Sequence, residues 1–231
     1  MKVPPPAGEL KFLVLGHRGS RRRETENTIA SLALALEEGA EGFETDLRRL
    51  SDGSIVLFHD AEVDGIRTER WTTDALRERI GPLALLSDLE RFRGRARMIL
   101  EVKTSGFEKE LVETIRGWEN VIVSSFDHAL VGRLARRTRT FELGVINAGA
   151  LVDPADYVAG LGAEWMFPQW ELVDRDLVVK LHRRKLGVIP WTANGPGSWA
   201  ELLEAGCDGV ITDTPAEAVA WRRGQSGELL C

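Results

Sequence analysis

Cysteine is almost missing from this 231-residue sequence, which has only Cys207 and Cys231. Two thiols build neither a disulfide framework nor a metal-ligand cluster, and they suit a reducing compartment. Long apolar runs are missing too. The longest, residues 29–36, falls far short of the ~20 residues that cross a bilayer. The first residues, MKVPPPAGELKF, hold no apolar stretch of the secretory kind. Surplus positive charge is missing as well. Lys and Arg total 30 against 36 Asp and Glu, a formal net charge of -6, so bulk attraction to nucleic acid is not expected. Low-complexity segments and linkers do not occur. These absences argue against a disulfide scaffold, a membrane-spanning protein and a nucleic-acid binder. The expectation is a soluble cytoplasmic protein, monomer or homodimer, acting on a small molecule. With 43% hydrophobic residues, the chain can bury one large core.

What is present is alternation. Strand-like runs stand at 12–16, 42–47, 98–102, 121–124, 141–146, 164–167, 187–191 and 208–212. Helical patterns follow at 28–38, 86–92, 107–118, 127–136, 154–159, 173–184, 198–204 and 215–222. Thr25 or Asn27 is expected to cap the first helix, and Pro154 and Pro215 suit first helical turns. A further short strand, 55–58, follows the Asp52-Gly53 turn signal, and residues 61–95 are polar and mixed. About eight strand-helix units predict an α/β fold, a (β/α)₈ TIM barrel. The single domain, 1–231, has an ordered barrel at 11–223, a short insertion after strand two at 60–96, and a frayed tail at 224–231. A doubly wound sheet normally needs about five or six units, and GHRGS after the first strand lacks its G-x-G-x-x-G fingerprint.

Barrel chemistry sits at the carboxyl ends of the strands. There the sequence places His17 and Arg18, Glu44 and Asp46, His59, Glu101 and Lys103, Trp191 to Asn194, and Thr212-Asp213. Residues i and i+2 of a strand share a face. Glu44 and Asp46 therefore point one way, with Glu101 and Lys103, while Phe43, Thr45, Leu47 and Val102 point towards the helices. Converging acids need a positive charge between them, and all-oxygen ligands favour Mg²⁺ or Ca²⁺ over zinc. Separately solvated acids are the alternative. Lys103 suits an ion pair, an anion site or a Schiff base. His17 and His59 suit proton transfer near neutral pH, whereas His128 and His182 lie on predicted helices, at the surface. Gly16 and Gly19 would let the backbone approach a ligand closely. Phe126, Phe167, Pro168 and Trp170 either line a pocket or bury against loops. The Arg21-Arg22-Arg23 run reads as a solvated loop or as an attractor of anionic substrate.

The ordered set Gly16-His17-Arg18-Gly19, Glu26-Asn27-Thr28, Glu44-Thr45-Asp46, His59-Asp60, Glu101-Val102-Lys103 and Trp191-Thr192-Ala193-Asn194 resembles the glycerophosphodiester phosphodiesterase family. The match spans roughly 13–214. It implies a barrel that hydrolyses glycerophosphodiesters to an alcohol and glycerol 3-phosphate. The resemblance makes Glu44, Asp46 and Glu101 ligands of a divalent metal, Mg²⁺ or Ca²⁺, and His17 and His59 the acid-base pair. Arg18 and Lys103 would bind phosphate oxygens, Trp191 would pack against the glycerol side, and Asn27 would order the first loop; Phe126, by its place after a strand, is a candidate for the alcohol side of the substrate. The attacking oxygen would be the substrate's own glycerol hydroxyl. Thr25 stands where the family usually has proline, and Ala193 where it has valine. The short insertion leaves substrate size open, and if the aromatics at Phe126, Phe167, Pro168 and Trp170 form an open apolar rim, a lysophospholipase D-like activity is the alternative. A Schiff-base lyase and a non-catalytic phosphate-binding barrel are more distant readings.

Overall fold

The computed structural model of the protein describes residues 12–137 and 139–228. In chain order the elements are β1 (Leu13–His17), α1 (Ile29–Glu37), β2 (Gly42–Arg49), β3 (Ile55–Leu57), β4 (Glu62–Val63), β5 (Ile66–Arg67) and α2 (Thr73–Ile80). They continue as β6 (Arg97–Val102), α3 (Glu108–Thr114), β7 (Val121–Ser125), α4 (His128–Ala135), β8 (Glu142–Asn147), α5 (Pro154–Leu161) and β9 (Trp165–Pro168). The chain ends with α6 (Arg175–Arg183), β10 (Gly187–Val188), α7 (Pro196–Ala205), β11 (Gly209–Thr212) and α8 (Pro215–Glu228). Eight strands pair in the order β10-β9-β8-β7-β6-β2-β1-β11, and every neighbour in that path is parallel. Three backbone hydrogen bonds close the seam: Asp208 donates to Val188 at 3.0 Å, Ile211 to Pro190 at 2.9 Å and Ala193 to Ile211 at 3.1 Å. The expected TIM barrel is therefore present.

Period-2 alternation divides the apolar residues between two cores. Leu15, Ile99, Ile122, Ile146, Ile189 and Ile211 fill the barrel interior with Phe167. Phe43, Leu47, Val102 and their like face the helices in a larger outer core. Two inward positions are glycine because a bulky neighbour occupies their space. A Cβ on Gly187 would lie 2.2 Å from the Trp165 ring, and one on Gly144 would lie 2.1 Å from Phe167. This large-against-small arrangement is how a barrel interior packs without voids.

Several boundaries differ from the sequence reading. Thr28, not Thr25 or Asn27, caps α1; its Oγ1 accepts from Ser31 N at 3.2 Å. The insertion between β2 and β6 is more structured than its composition suggests. β3 pairs antiparallel with β2, β4 and β5 form a small ladder, and α2 follows. Only Leu76 of α2 is buried, so the helix shows almost no apolar periodicity. The segment Leu86–Phe92 is a 3-10 helix. α8 continues to Glu228, so the first part of the expected tail is helical, and the rest lies outside the described residues. Among the described residues, no helix is long and apolar enough to cross a membrane.

Gly187→Ala should cost about 1–3 kcal/mol through overpacking against Trp165, lowering Tm by roughly 3–10 °C in a thermal melt. An unchanged melt would show that the interior is looser than this packing implies.

Candidate active site

Strand register assembles the site. His17 on β1 lies beside Glu44 on β2, Asp46 beside Glu101 on β6, and Glu101 beside Ser124 on β7. Alternation turns Glu44 and Asp46 to the same side, as the i, i+2 spacing predicts. Carboxylate oxygens of Glu44, Asp46 and Glu101 come within 4.8 Å of one another, and all three residues are buried. Together with His17, Arg18, His59 and Lys103, Glu44 and Glu101 form one wall of a cavity of about 230 Å³. The opposite wall is apolar and includes Ile146, Phe167 and Trp191.

Three buried acids this close oppose each other's ionisation. Burial raises the pKa of Glu44 well above the ordinary carboxylate value, and the charges of Asp46 and Glu101 push it further. Burial also raises Glu101. At Asp46 burial acts in the same direction, but Lys103, Arg18 and the Asn27 amide outweigh it and lower the pKa. Lys103 Nζ sits 2.9 Å from Asp46 Oδ1 and 2.5 Å from Glu101 Oε1. Burial would lower its pKa, but the two acids outweigh that and raise it. Arg18 Nε lies 3.0 Å from Asp46 Oδ2, and its Nη1 donates to Glu26 Oε1 at 2.7 Å. Glu44 Oε2 accepts from the Arg18 backbone N–H at 3.2 Å. Glu44 Oε1 is buried with no hydrogen-bond partner.

The two histidines are held differently. His17 Nδ1 is 2.7 Å from Asp213 Oδ1. An ionised carboxylate only accepts, so Nδ1 carries the proton and Nε2, 3.9 Å from Glu44 Oε2, is the free nitrogen. Burial lowers the His17 pKa, although Asp213 opposes this. His59 stands at the rim with a side chain 38% exposed, and its Nδ1 is 2.9 Å from Asp60 Oδ1. Its backbone is fixed by the buried Arg48, whose Nε and Nη2 donate to the His59 carbonyl at 3.0 and 2.9 Å. Arg48 Nη1 is in turn tied to Glu69 Oε1 at 2.6 Å.

One hydrogen-bond module occurs twice at the mouth. Asn27 Oδ1 accepts from Thr45 Oγ1 at 2.7 Å and from Asp46 N at 3.2 Å, while its Nδ2 donates to Asp46 Oδ2 at 2.8 Å. Asn194 Oδ1 accepts from Thr212 Oγ1 and Asp213 N, both at 2.9 Å, while its Nδ2 donates to Asp213 Oδ2 at 3.0 Å. Each asparagine fixes a Thr-Asp pair, the first within β2 and the second at the end of β11. The first aims an acid of the cluster, and the second aims the carboxylate that holds His17. The sequence reading gave Asn194, Asp213 and Arg48 no role. The repeated Thr-Asp at 45–46 and 212–213 is the signal from which the second clamp could be read.

Other expectations resolve individually. Phe126 is 46% exposed, lines the cavity and packs edge-on against Trp191, with centroids 5.5 Å apart. Phe167 also lines it, but Trp170 packs against the outer core and Pro168 belongs to a separate surface depression. Gly16 and Gly19 serve loop packing. A Cβ on Gly16 would meet Ala35, and one on Gly19 would meet Ser31, both on α1. The arginine run is tied down by ion pairs, Arg21 to Glu26 at 2.6 Å and Arg23 to Glu38 at 2.7 Å, with Arg22 3.7 Å from Asp213. His182 is at the surface as expected, 3.0 Å from Asp208. His128 is partly buried and bridges Tyr157 and the Ile146 carbonyl, both at 2.8 Å.

A barrel whose carboxyl mouth gathers acids, two cations and two imidazoles is an enzyme site for an anionic substrate. Comparison with known proteins makes the class specific. The profile of the glycerophosphoryl diester phosphodiesterase family matches residues 17–89 and 95–217, and the chain belongs to that family. It is similar to a glycerophosphodiester phosphodiesterase of Caldanaerobacter subterraneus, 29% identical over 89% of this chain and 96% of that one. Its fold is shared by a crystal structure of a Thermotoga maritima glycerophosphodiester phosphodiesterase, with TM-score 0.82 at 24% identity, covering 90% and 97% of the two chains. An Oleispira antarctica phosphodiesterase in complex with the product sn-glycerol-3-phosphate aligns with TM-score 0.79 at 21% identity, covering 90% and 96%.

Asn27 has a left-handed backbone, φ 57°, which asparagine tolerates and alanine resists. Asn27→Ala should therefore cost roughly 2–4 kcal/mol by adding that strain to unpaired groups at Thr45 and Asp46. Urea unfolding measures this, and a change below ~0.5 kcal/mol would show that the clamp is not under load.

Proposed function

We propose that the protein hydrolyses glycerophosphodiesters to an alcohol and sn-glycerol 3-phosphate, with His17 and His59 moving the protons. The observation that carries this reading is the cavity wall itself, where both imidazoles, Arg18, Lys103 and two members of the acid cluster face one space. The cluster suits a hard divalent cation, Mg²⁺ or Ca²⁺, held by Glu44, Asp46 and Glu101. Its donors are all oxygen, and Glu44 Oε1 is an unpartnered buried acceptor. Such a cation, when bound, supplies Lewis-acid charge for a phosphoryl group.

The chain's own residues supply the rest. Arg18 and Lys103 bind phosphate oxygens and offset charge that grows in the transition state. The substrate hydroxyl beside the phosphate attacks phosphorus, and His17 Nε2, the free nitrogen opposite the Asp213 bond, takes its proton. His59, at the exposed rim where an alcohol leaves, donates a proton to the departing oxygen. Water then opens the cyclic phosphate with the two roles reversed. Trp191 and Phe126 form the apolar side of the mouth.

Lys103 is held as an ammonium by Asp46 and Glu101, which argues against a Schiff-base lyase. Keeping both imidazoles beside the phosphate-binding cations argues against a barrel that only binds. The exposed Phe126 beside Trp191 favours a second reading, lysophospholipase D-like action on lysophospholipids. Choline release from glycerophosphocholine against lysophosphatidylcholine separates the two. A small-molecule partner and a cytoplasmic monomer or homodimer remain part of the proposal, supported by composition.

A coupled glycerol 3-phosphate assay over several headgroups tests the activity. His17→Ala and His59→Ala should each lose about 10²- to 10⁴-fold in kcat, and near-normal kcat in both would overturn the assignment. Chelation should abolish turnover, with Mg²⁺ or Ca²⁺ restoring it; full activity in EDTA would remove the metal.

A further inference from the structure

Ser124 stands out in the cavity. Its side chain is fully buried, it lines the cavity wall, and its Oγ has no hydrogen-bond partner. A buried hydroxyl without a partner is costly and uncommon in a folded protein. The neighbouring Ser125 shows the contrast, because its Oγ donates to the Val102 carbonyl at 2.7 Å and accepts from Asp127 N at 3.0 Å. Ser124 points the other way along the strand alternation, into the barrel, beside Glu101. Around it the inward wall is apolar, with Ile99, Ile146 and Phe167. It therefore offers an unpaired polar contact where the acid cluster, through Glu101, meets the apolar part of the cavity.

We infer that Ser124 is a specificity residue whose hydroxyl pairs with the terminal hydroxyl of the substrate's glycerol half. This rests on the proposed glycerophosphodiester activity. Depth distinguishes the glycerol half from the leaving alcohol. Ser124 is 0% exposed, while Phe126, two residues further along the same segment, is 46% exposed at the rim. The part of the substrate that never varies goes to the closed end, and the variable alcohol goes to the open one. The hydroxyl next to the phosphate is engaged by His17, on β1, which lies three strands round the barrel from β7. The terminal hydroxyl is the group left to meet Ser124.

The test compares binding of glycerol 3-phosphate with that of 2-hydroxypropyl phosphate, which keeps the hydroxyl beside the phosphate and lacks the terminal one. Calorimetric titration of the full chain with each, in Mg²⁺ or Ca²⁺, should show about a tenfold preference for glycerol 3-phosphate, the size of one hydrogen bond. In Ser124→Ala that preference should fall below about twofold. Ser124→Thr, which keeps a hydroxyl, should retain more of it than Ser124→Ala. A merely structural serine would weaken both ligands equally and leave the preference intact, which overturns the inference. So does a wild-type protein that hydrolyses glycerophosphodiesters yet binds both phosphates alike. A protein that hydrolyses no glycerophosphodiester removes the functional reading itself, and the inference with it.

Discussion

Electrostatic repulsion among Glu44, Asp46 and Glu101 is the constraint around which the mouth of this barrel is arranged. Their oxygens share a space less than 5 Å across, out of water, where like charges interact strongly. No apolar packing offsets that. Lys103 and Arg18 answer it at Asp46, and Lys103 answers it at Glu101. Glu44 is answered least, with one oxygen on a backbone N–H and the other unpartnered. The cluster stabilises the fold poorly as an isolated arrangement. Buried charge networks of this kind mark sites where binding or chemistry supplies what the protein withholds.

Holding such charges in fixed directions takes further structure. The barrel supplies the coarse part, since parallel register puts His17 against Glu44 and Asp46 against Glu101. Asparagine clamps supply the fine part. One secures a member of the acid cluster, the other a carboxylate behind an imidazole, on strands flanking β1 from either side. Arg48 does the equivalent for His59 through its backbone. Both histidines are thus positioned by residues that do not line the cavity, as preorganised sites require.

Much of this was legible in the sequence. Strand-helix alternation carried the fold because most barrel strands are short apolar runs buried on both faces, β2 with its Glu44 and Asp46 being the exception. The acids and Lys103 were legible because strand period is two, so i, i+2 pairs announce a shared face. The linkage of β1 to β11 through His17 and Asp213 was not, because it joins residues 196 positions apart. Nor was α2, which buries a single leucine. Asn27 holds the first loop through its backbone N–H, which donates to the Arg18 carbonyl at 3.1 Å, while its side chain bonds Thr45 and Asp46, a long-range link that the Glu-Asn-Thr spacing does not announce. Gly16 and Gly19 misled in the opposite direction. Glycine beside a candidate site suggests room for a ligand, whereas here the room belongs to α1.

The proposed cation site at the buried acids is open to a direct binding measurement. Titrating the purified, chelator-treated protein with Ca²⁺ or Mg²⁺ in a calorimeter tests it directly. Binding should be saturable and one-to-one, and lost in Glu44→Gln. Equal binding by that variant, or none by the wild type while it still turns over substrate, would contradict it.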